Sequence, residues 1–357
     1  MIFTRNLYLK SNVQHSIFIS LLQQNDEETK FWTYELYYSG FKKETFAIIW
    51  KLYYELYASF YPNLELFIKK KTLEWIDDMS KDYIIGTIIE NIVRREPCVD
   101  IYRIINSNDI DEILGSNYPF AISNVQAIKE ITNTSELLQL YYNIFHEKLH
   151  ENINEQIIQK INMNTIDSVK MLEQFTNTKN NLSILKSACI SRIFTFMLFF
   201  GANEHSINNY NCKIKLDPKK YSVLTKNDII QYTPKPLIQC KGSKIPSRVC
   251  IYSVHNSPNS TQILMSDYDH WLYYASFSSI WENRISKYEG IIDNENKNVI
   301  FKDEDKEEMF YNLYNFDPIE QFTEIQSKWL GKWEFRDMNE IYEKYKCESF
   351  RDWIKLE

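Results

Sequence analysis

The sequence predicts a mainly α-helical protein, a bundle of helical hairpins with a small β-containing insert in its second half. Three observations carry this expectation. Apolar residues recur at helical spacing from Asn25 to Phe200, and breaks marked by Gly, Pro or Asn separate the runs. Between Lys213 and Ser257 the helical period gives way to β-branched residues alternating with polar ones, and four of the nine prolines fall there.

The most aromatic stretch, Asn25 to Asp78, reads as three helices. Two are expected to form a hairpin joined at Ser39-Gly40, where a helix C′ position favours glycine, and a third follows Pro62. Phe46, Ile49, Trp50, Tyr53, Leu56, Tyr57 and Phe60 would form one buried face, with Pro62 stopping the helix. Before this stretch, Ile17 to Leu22 reads as a short apolar turn capping the aromatic seam. After it, Lys81 to Arg95, Ile101 to Leu114 and Phe120 to Ile131 read as helices. Thr134 opens a long helix to about Ile161, and Asn180 to Phe200 is apolar enough to be central. Helices are expected again from Ser266 to Tyr288 and from Asp303, with a β-hairpin between them at Gly290-Ile-Ile and Val299-Ile-Phe. The expected domains are a helical-hairpin bundle over 1–205, a basic β-rich segment over 206–260, and a helical C-terminal region over 261–357.

Composition excludes several function classes. The glycines Gly40, Gly86, Gly115, Gly201, Gly242, Gly290 and Gly331 are too far apart to build a phosphate-cradling loop or a nucleophile elbow. That removes the common ATPases, kinases, dinucleotide-binding enzymes and α/β-hydrolases. The six cysteines lack C-x-x-C spacing and read as reduced thiols in a cytosolic protein. No apolar run is long enough to span a bilayer, and no membrane association or signal peptide is expected.

Four constellations carry possible chemistry. His146-Glu147-Lys148-Leu149-His150 matches H-E-x-x-H inside a predicted helix, the geometry of a zinc peptidase, with Glu155 or Glu173 as third ligand. Polar neighbours and the distance to the next histidine, His205, favour instead a helix whose Phe145 and Leu149 pack inward. Asp293 to Glu304 partly mimics a calcium loop, but Lys297 holds a ligand position and Asn298 replaces the turn glycine, so an ordinary hairpin is expected. Cys240, Cys250, His255 and His270 fit no standard zinc module. No catalytic residue, metal or cofactor is therefore assigned.

The fourth constellation is electrostatic. Lys213, Lys215, Lys219, Lys220, Lys226, Lys235, Lys241, Lys244 and Arg248 are opposed only by Asp217 and Asp228, in a chain whose net charge is -7. Tyr221, Tyr232 and Tyr252 are interleaved with them. Cations for phosphates and rings for bases are what single-stranded RNA or DNA uses, so these nine basic residues and Tyr221 are the candidate nucleic-acid contacts.

Phe31-Trp-Thr-Tyr-Glu-Leu-Tyr-Tyr-Ser-Gly-Phe41 resembles a helical segment of uncharacterised proteins of the nucleocytoplasmic large DNA viruses. Tyr268-Asp-His-Trp-Leu-Tyr-Tyr-Ala and Trp281-Glu-Asn-Arg-Ile285 are similar in character, as is the surplus of Asn, Ile and Lys. The resemblance implies a viral protein working in the host cytoplasm, in the viral factory or the particle, and brings no catalytic residues. The expected function is a non-enzymatic helical adaptor or scaffold in gene expression, with protein partners and RNA or DNA contact. A zinc metallopeptidase and a virion structural protein are the alternatives.

Overall fold

The computed structural model describes residues 2–5, 8–106, 110, 119–147, 155–174, 178–201 and 270–314. Among these it is mainly helical, with thirteen helices and one two-stranded sheet. They divide into two compact units, with the division falling inside the third helix.

The first unit contains α1 (Lys10–Leu22) and α2 (Asp26–Tyr38), then α11 (Trp271–Ala275), α12 (Ser279–Lys287), β1 (Ile291–Asp293), β2 (Asn298–Ile300) and α13 (Glu304–Tyr314). The expected short turn at Ile17 to Leu22 is in fact the end of a full helix. Every residue of α1 from Asn12 to Leu22 is buried, polar ones included, so the helix has no solvent face to produce an amphipathic period. It is α1 that packs along α2. The hairpin partner of the aromatic helix α2 is therefore the segment before it, where the sequence pointed to the segment after it.

Asn25 caps α2 by accepting the backbone N–H of Glu28, at 3.2 Å, and Asp26, Glu27 and Glu28 occupy the first turn where the helix dipole favours anions. At the other end Gly40 takes φ of 99°, the left-handed conformation expected there. A second constraint acts on it: a Cβ at Gly40 would lie 1.8 Å from Oγ of Ser279, at the start of α12.

The N-terminal residues hold this unit together. Phe3 belongs to a core with Trp271, Leu272, Trp281, Ile285, Val299, Phe301 and Phe310. Next to it, Trp281 Nε1 donates to the Thr4 carbonyl at 3.0 Å, and Arg5 Nε donates to Glu35 Oε2 at 2.8 Å, with both side chains buried. The β-hairpin forms as expected, with Ile291 opposite Ile300 and Asp293 opposite Asn298. Of the helices expected from Ser266 to Tyr288, the described part forms two: Ser276 and Ser278 turn their hydroxyls onto the carbonyls of Tyr273 and Ala275, which separates α11 from α12.

The second unit holds most of α3 (Lys42–Leu56), with α4 (Leu64–Asp77), α5 (Tyr83–Val93), α6 (Val99–Asn106), α7 (Pro119–Glu130), α8 (Thr134–Glu147), α9 (Glu155–Leu172) and α10 (Thr178–Gly201). As expected, α10 is central, packing against α6, α7, α8 and α9. Trp50, Tyr53, Tyr54 and Tyr57 of α3 and the following turn are fully buried, and Phe46 stacks on Trp75 of α4 at 4.2 Å between centroids. The third helix stops at Leu56, short of Pro62. Its last carbonyls find tertiary partners there: Cys98 N–H donates to Leu56 at 2.7 Å and Ser191 Oγ to Tyr54 at 2.6 Å. Phe60, expected on the buried face, is 43% exposed as a result.

Two measurements check this fold. Gly40→Ala should destabilise the first unit by about 1–3 kcal/mol from left-handed strain and contact with Ser279, and Ser279→Gly should recover only the contact part; urea unfolding of the single and double variants separates the two. His15 on α1 is fully buried, neither ring nitrogen has a hydrogen-bond partner, and burial pushes its pKa from 6.5 down to about 4. Between those values the unfolded chain takes up a proton that the folded chain refuses. Stability should therefore fall as pH drops below about 6.5 and level off below about 4, by roughly 3 kcal/mol at most. Hydrogen exchange of α1 amides in the wild type and in His15→Leu, in which this component is missing, measures it.

Candidate functional site

The densest set of interacting polar groups among the described residues lies inside the second unit, where α10 crosses the end of α3 and the start of α4. Its origin is local. A helix end leaves carbonyls without partners, and α3 ends inside an apolar interior where water cannot supply them. Helix α10 supplies them through Ser191 and Thr195, spaced four residues apart on one face, with Arg192 beside them and Ser187 one turn earlier. Ser191 takes the Tyr54 carbonyl, Arg192 Nη1 takes that of Ala58 at 3.1 Å, and Ser187 Oγ donates to Glu55 Oε1 at 3.2 Å.

Arg192 is the centre of the set. Its guanidinium pairs with Glu65, in the first turn of α4, and its Nε donates to Thr165 Oγ1 of α9 at 2.9 Å. Glu65 also accepts from Tyr54 Oη at 2.5 Å and from Thr165 Oγ1 at 3.1 Å. The cation thus sits at the negative end of α3 and the anion at the positive end of α4, so both helix dipoles favour the pair. Both side chains are sealed from solvent, at 0% and 2% exposure.

Burial disfavours the Arg192 cation, yet Glu65 and then the phenols of Tyr53, Tyr54 and Tyr141 together outweigh it and hold the pKa above the ordinary arginine value. The phenols of Tyr53 and Tyr54 are pushed up, first by burial and then, in Tyr54, by the Glu65 charge. Tyr141 and the Cys189 thiol are likewise raised by burial. These hydroxyls and this thiol stay protonated at neutral pH, and a protonated buried thiol is a poor nucleophile. Chemically the arrangement is a four-helix fastening of α3, α4, α9 and α10, with its charges matched inside the protein.

The sequence-predicted sites fare differently. Lys213, Lys215, Lys219, Lys220, Tyr221, Lys226, Lys235, Lys241, Lys244 and Arg248 lie outside the described residues. So do Lys148, Leu149 and His150, while His146 and Glu147 occupy the final described turn of α8. Cys240, Cys250 and His255 are also outside, and no group of three His, Cys, Asp or Glu side chains able to hold a metal occurs among the described residues. The calcium-like loop is a hairpin turn: the Asp293 carboxylate accepts the backbone N–H groups of Glu295 and Asn296, at 2.9 and 3.1 Å, and the Asn296 amide at 2.8 Å. Those bonds hold its carboxyl below the usual carboxylate range.

Sequence reasoning missed Glu65 and Arg192. The available signal was the one arginine of α10, at the start of its apolar second half and flanked by hydroxyl residues at a spacing of four. No protein-family model matches this chain, and no curated protein or solved structure is significantly similar to it.

Removing one half of the buried pair should be far worse than removing both. Glu65→Leu should cost about 3–5 kcal/mol because it strands the Arg192 charge, while Glu65→Leu combined with Arg192→Met should recover a large part of that loss. Denaturant unfolding of the two single variants and the double variant provides the comparison. Equal or greater loss in the double variant would show that the pair holds the unit by more than mutual neutralisation.

Proposed function

We propose that the chain is a non-enzymatic helical adaptor or scaffold in viral gene expression, using helical faces for protein partners and Lys213 to Arg248 for RNA or DNA. One observation carries the reading: nine cations against two acids in a single run of a chain with a net charge of -7. The described helices support the scaffold half, since their buried charges are spent on one another. Arg192 is committed to Glu65 and Arg5 to Glu35, both pairs sealed from solvent. This reading puts the work in the host cytoplasm, the viral factory or the virion, as the resemblance of Phe31 to Phe41 to proteins of large DNA viruses implies. No helix among the described residues is long and apolar enough to cross a membrane.

A second reading rests on a specific feature, the H-E-x-x-H pattern that begins in the last described turn of α8. As a zinc peptidase the chain would hold the metal with His146 and His150 and activate water with Glu147.

Nucleic-acid affinity should fall steeply as salt is raised, and Lys219→Glu, Lys220→Glu and Lys244→Glu together should abolish it. Binding of labelled single-stranded RNA and DNA, read by anisotropy across a salt series, tests this; salt-independent or absent binding removes the nucleic-acid half. Metal analysis decides the second reading. About one zinc per chain, lost in His146→Ala, with peptidase activity lost in Glu147→Gln, would replace the adaptor reading with an enzyme. Copurification with virions in the absence of either property would indicate a structural component.

A further inference from the structure

Helix α13 is amphipathic in an unusual way, because both its faces carry apolar residues. Phe310 fixes the inner face: it is fully buried, with its ring 4.9 Å from Phe301, 5.8 Å from Tyr288 and 6.5 Å from Trp281. On the outer face Met309 is 55% and Leu313 40% exposed. They are one helical turn apart, and Asp305 precedes Met309 by another turn, so the three form one ridge. Among the described residues, the packing of α13 on its own unit uses Phe310 and leaves Met309 and Leu313 exposed.

The surroundings of the ridge restrict what can cover it. Asp303, Glu304, Asp305, Glu307 and Glu308 are all exposed on this helix and its N-terminal approach. The neighbouring cations are already committed, since Lys302 and Lys306 both pair with Glu289, at 2.7 and 3.1 Å. A nucleic acid or an anionic lipid surface is repelled by such a rim, and a second copy of this chain meeting it ridge to ridge would bring the same acids to the same place. A cationic protein segment is the chemistry left.

We infer that the Met309–Leu313 ridge docks a basic amphipathic helix of a partner protein, its apolar side chains covering the ridge and its lysines or arginines meeting Asp305 and Glu308. Methionine suits such a role because its flexible thioether adapts to different apolar shapes. The area is small, so the contact is weak and quickly exchanging, with charge setting its orientation and encounter rate. The inference names a partner class for the protein-binding half of the adaptor reading and rests on that half; it is independent of RNA or DNA contact.

The test uses the full chain and a fluorescein-labelled 18-residue Lys/Leu amphipathic peptide, with a Glu/Leu peptide of the same pattern as the control. The Lys/Leu peptide should bind and the Glu/Leu peptide should not. The deciding variant is Met309→Asp with Leu313→Asp, which adds negative charge while removing the ridge. Docking on the ridge predicts about 10-fold weaker binding, whereas attraction by charge alone predicts tighter binding. Asp305→Asn with Glu308→Gln should weaken binding several-fold and flatten its salt dependence. Absent binding to the wild type, or unchanged or tighter binding to the Met309→Asp, Leu313→Asp protein, overturns the inference. Binding that emerges only after charge reversal at Lys219, Lys220 and Lys244 also overturns it, by showing that the occupant is the chain's own basic segment. RNA and DNA binding of the same variants separates this failure from failure of the nucleic-acid reading.

Discussion

The second unit depends on satisfying backbone carbonyls where water is absent. Helix α3 carries too many aromatic rings to end at the surface: Trp50, Tyr53, Tyr54 and Tyr57 are all buried, and the chain is still inside the unit when the helical hydrogen bonds run out. Carbonyls left bare in such surroundings would each cost on the order of 1–3 kcal/mol. Hydroxyl groups and a guanidinium on α10 meet them, and once a buried cation is used for that purpose a buried anion must accompany it. Glu65, Thr165 and the Tyr54 phenol complete the set. The arrangement joins the consecutive helices α3 and α4 to the consecutive helices α9 and α10, with Thr165 reaching Glu65 across 100 positions, and every member limits how far the others can shift.

The first unit answers the same constraint by other means. Its central helix α1 is buried on all sides, so Ser16 and Ser20 return their hydroxyls to the carbonyls of Asn12 and Ile17 within the helix itself. His15 has no such outlet, and burial keeps it neutral. The N-terminal residues then tie early and late parts of this unit together, with Phe3 in the apolar core around Trp281 and Arg5 reaching Glu35. The buried charges Arg5, Glu35, Glu65 and Arg192 are paired with one another inside their units, which is why the functional reading turns to surfaces and to the basic run between Lys213 and Arg248.

Much of the helical content was legible from local signals. Asn25 with the acids after it marks the start of α2, Gly40 its end, and the alternating Ile291-Ile292 and Val299-Ile300 segments the hairpin. The failures share one cause. Periodicity reports a helix only when one face is wet, so α1 gave a weak signal. The same pattern cannot locate a break made by side chains, so helical register ran through the Ser276 and Ser278 hydroxyls that separate α11 from α12. Pro62 was a sound stop signal, but tertiary donors to the last carbonyls ended α3 earlier.

By itself the sequence determined the fold class, the starts of most helices and the concentration of positive charge in one run, because propensity, capping and charge are properties of neighbouring residues. Tertiary structure alone decided that α2 pairs with α1, that Arg192 answers Glu65 from 127 positions away, and that Thr4 receives a hydrogen bond from Trp281. Those choices depend on which polar groups are shut away from water together, and no local pattern records that.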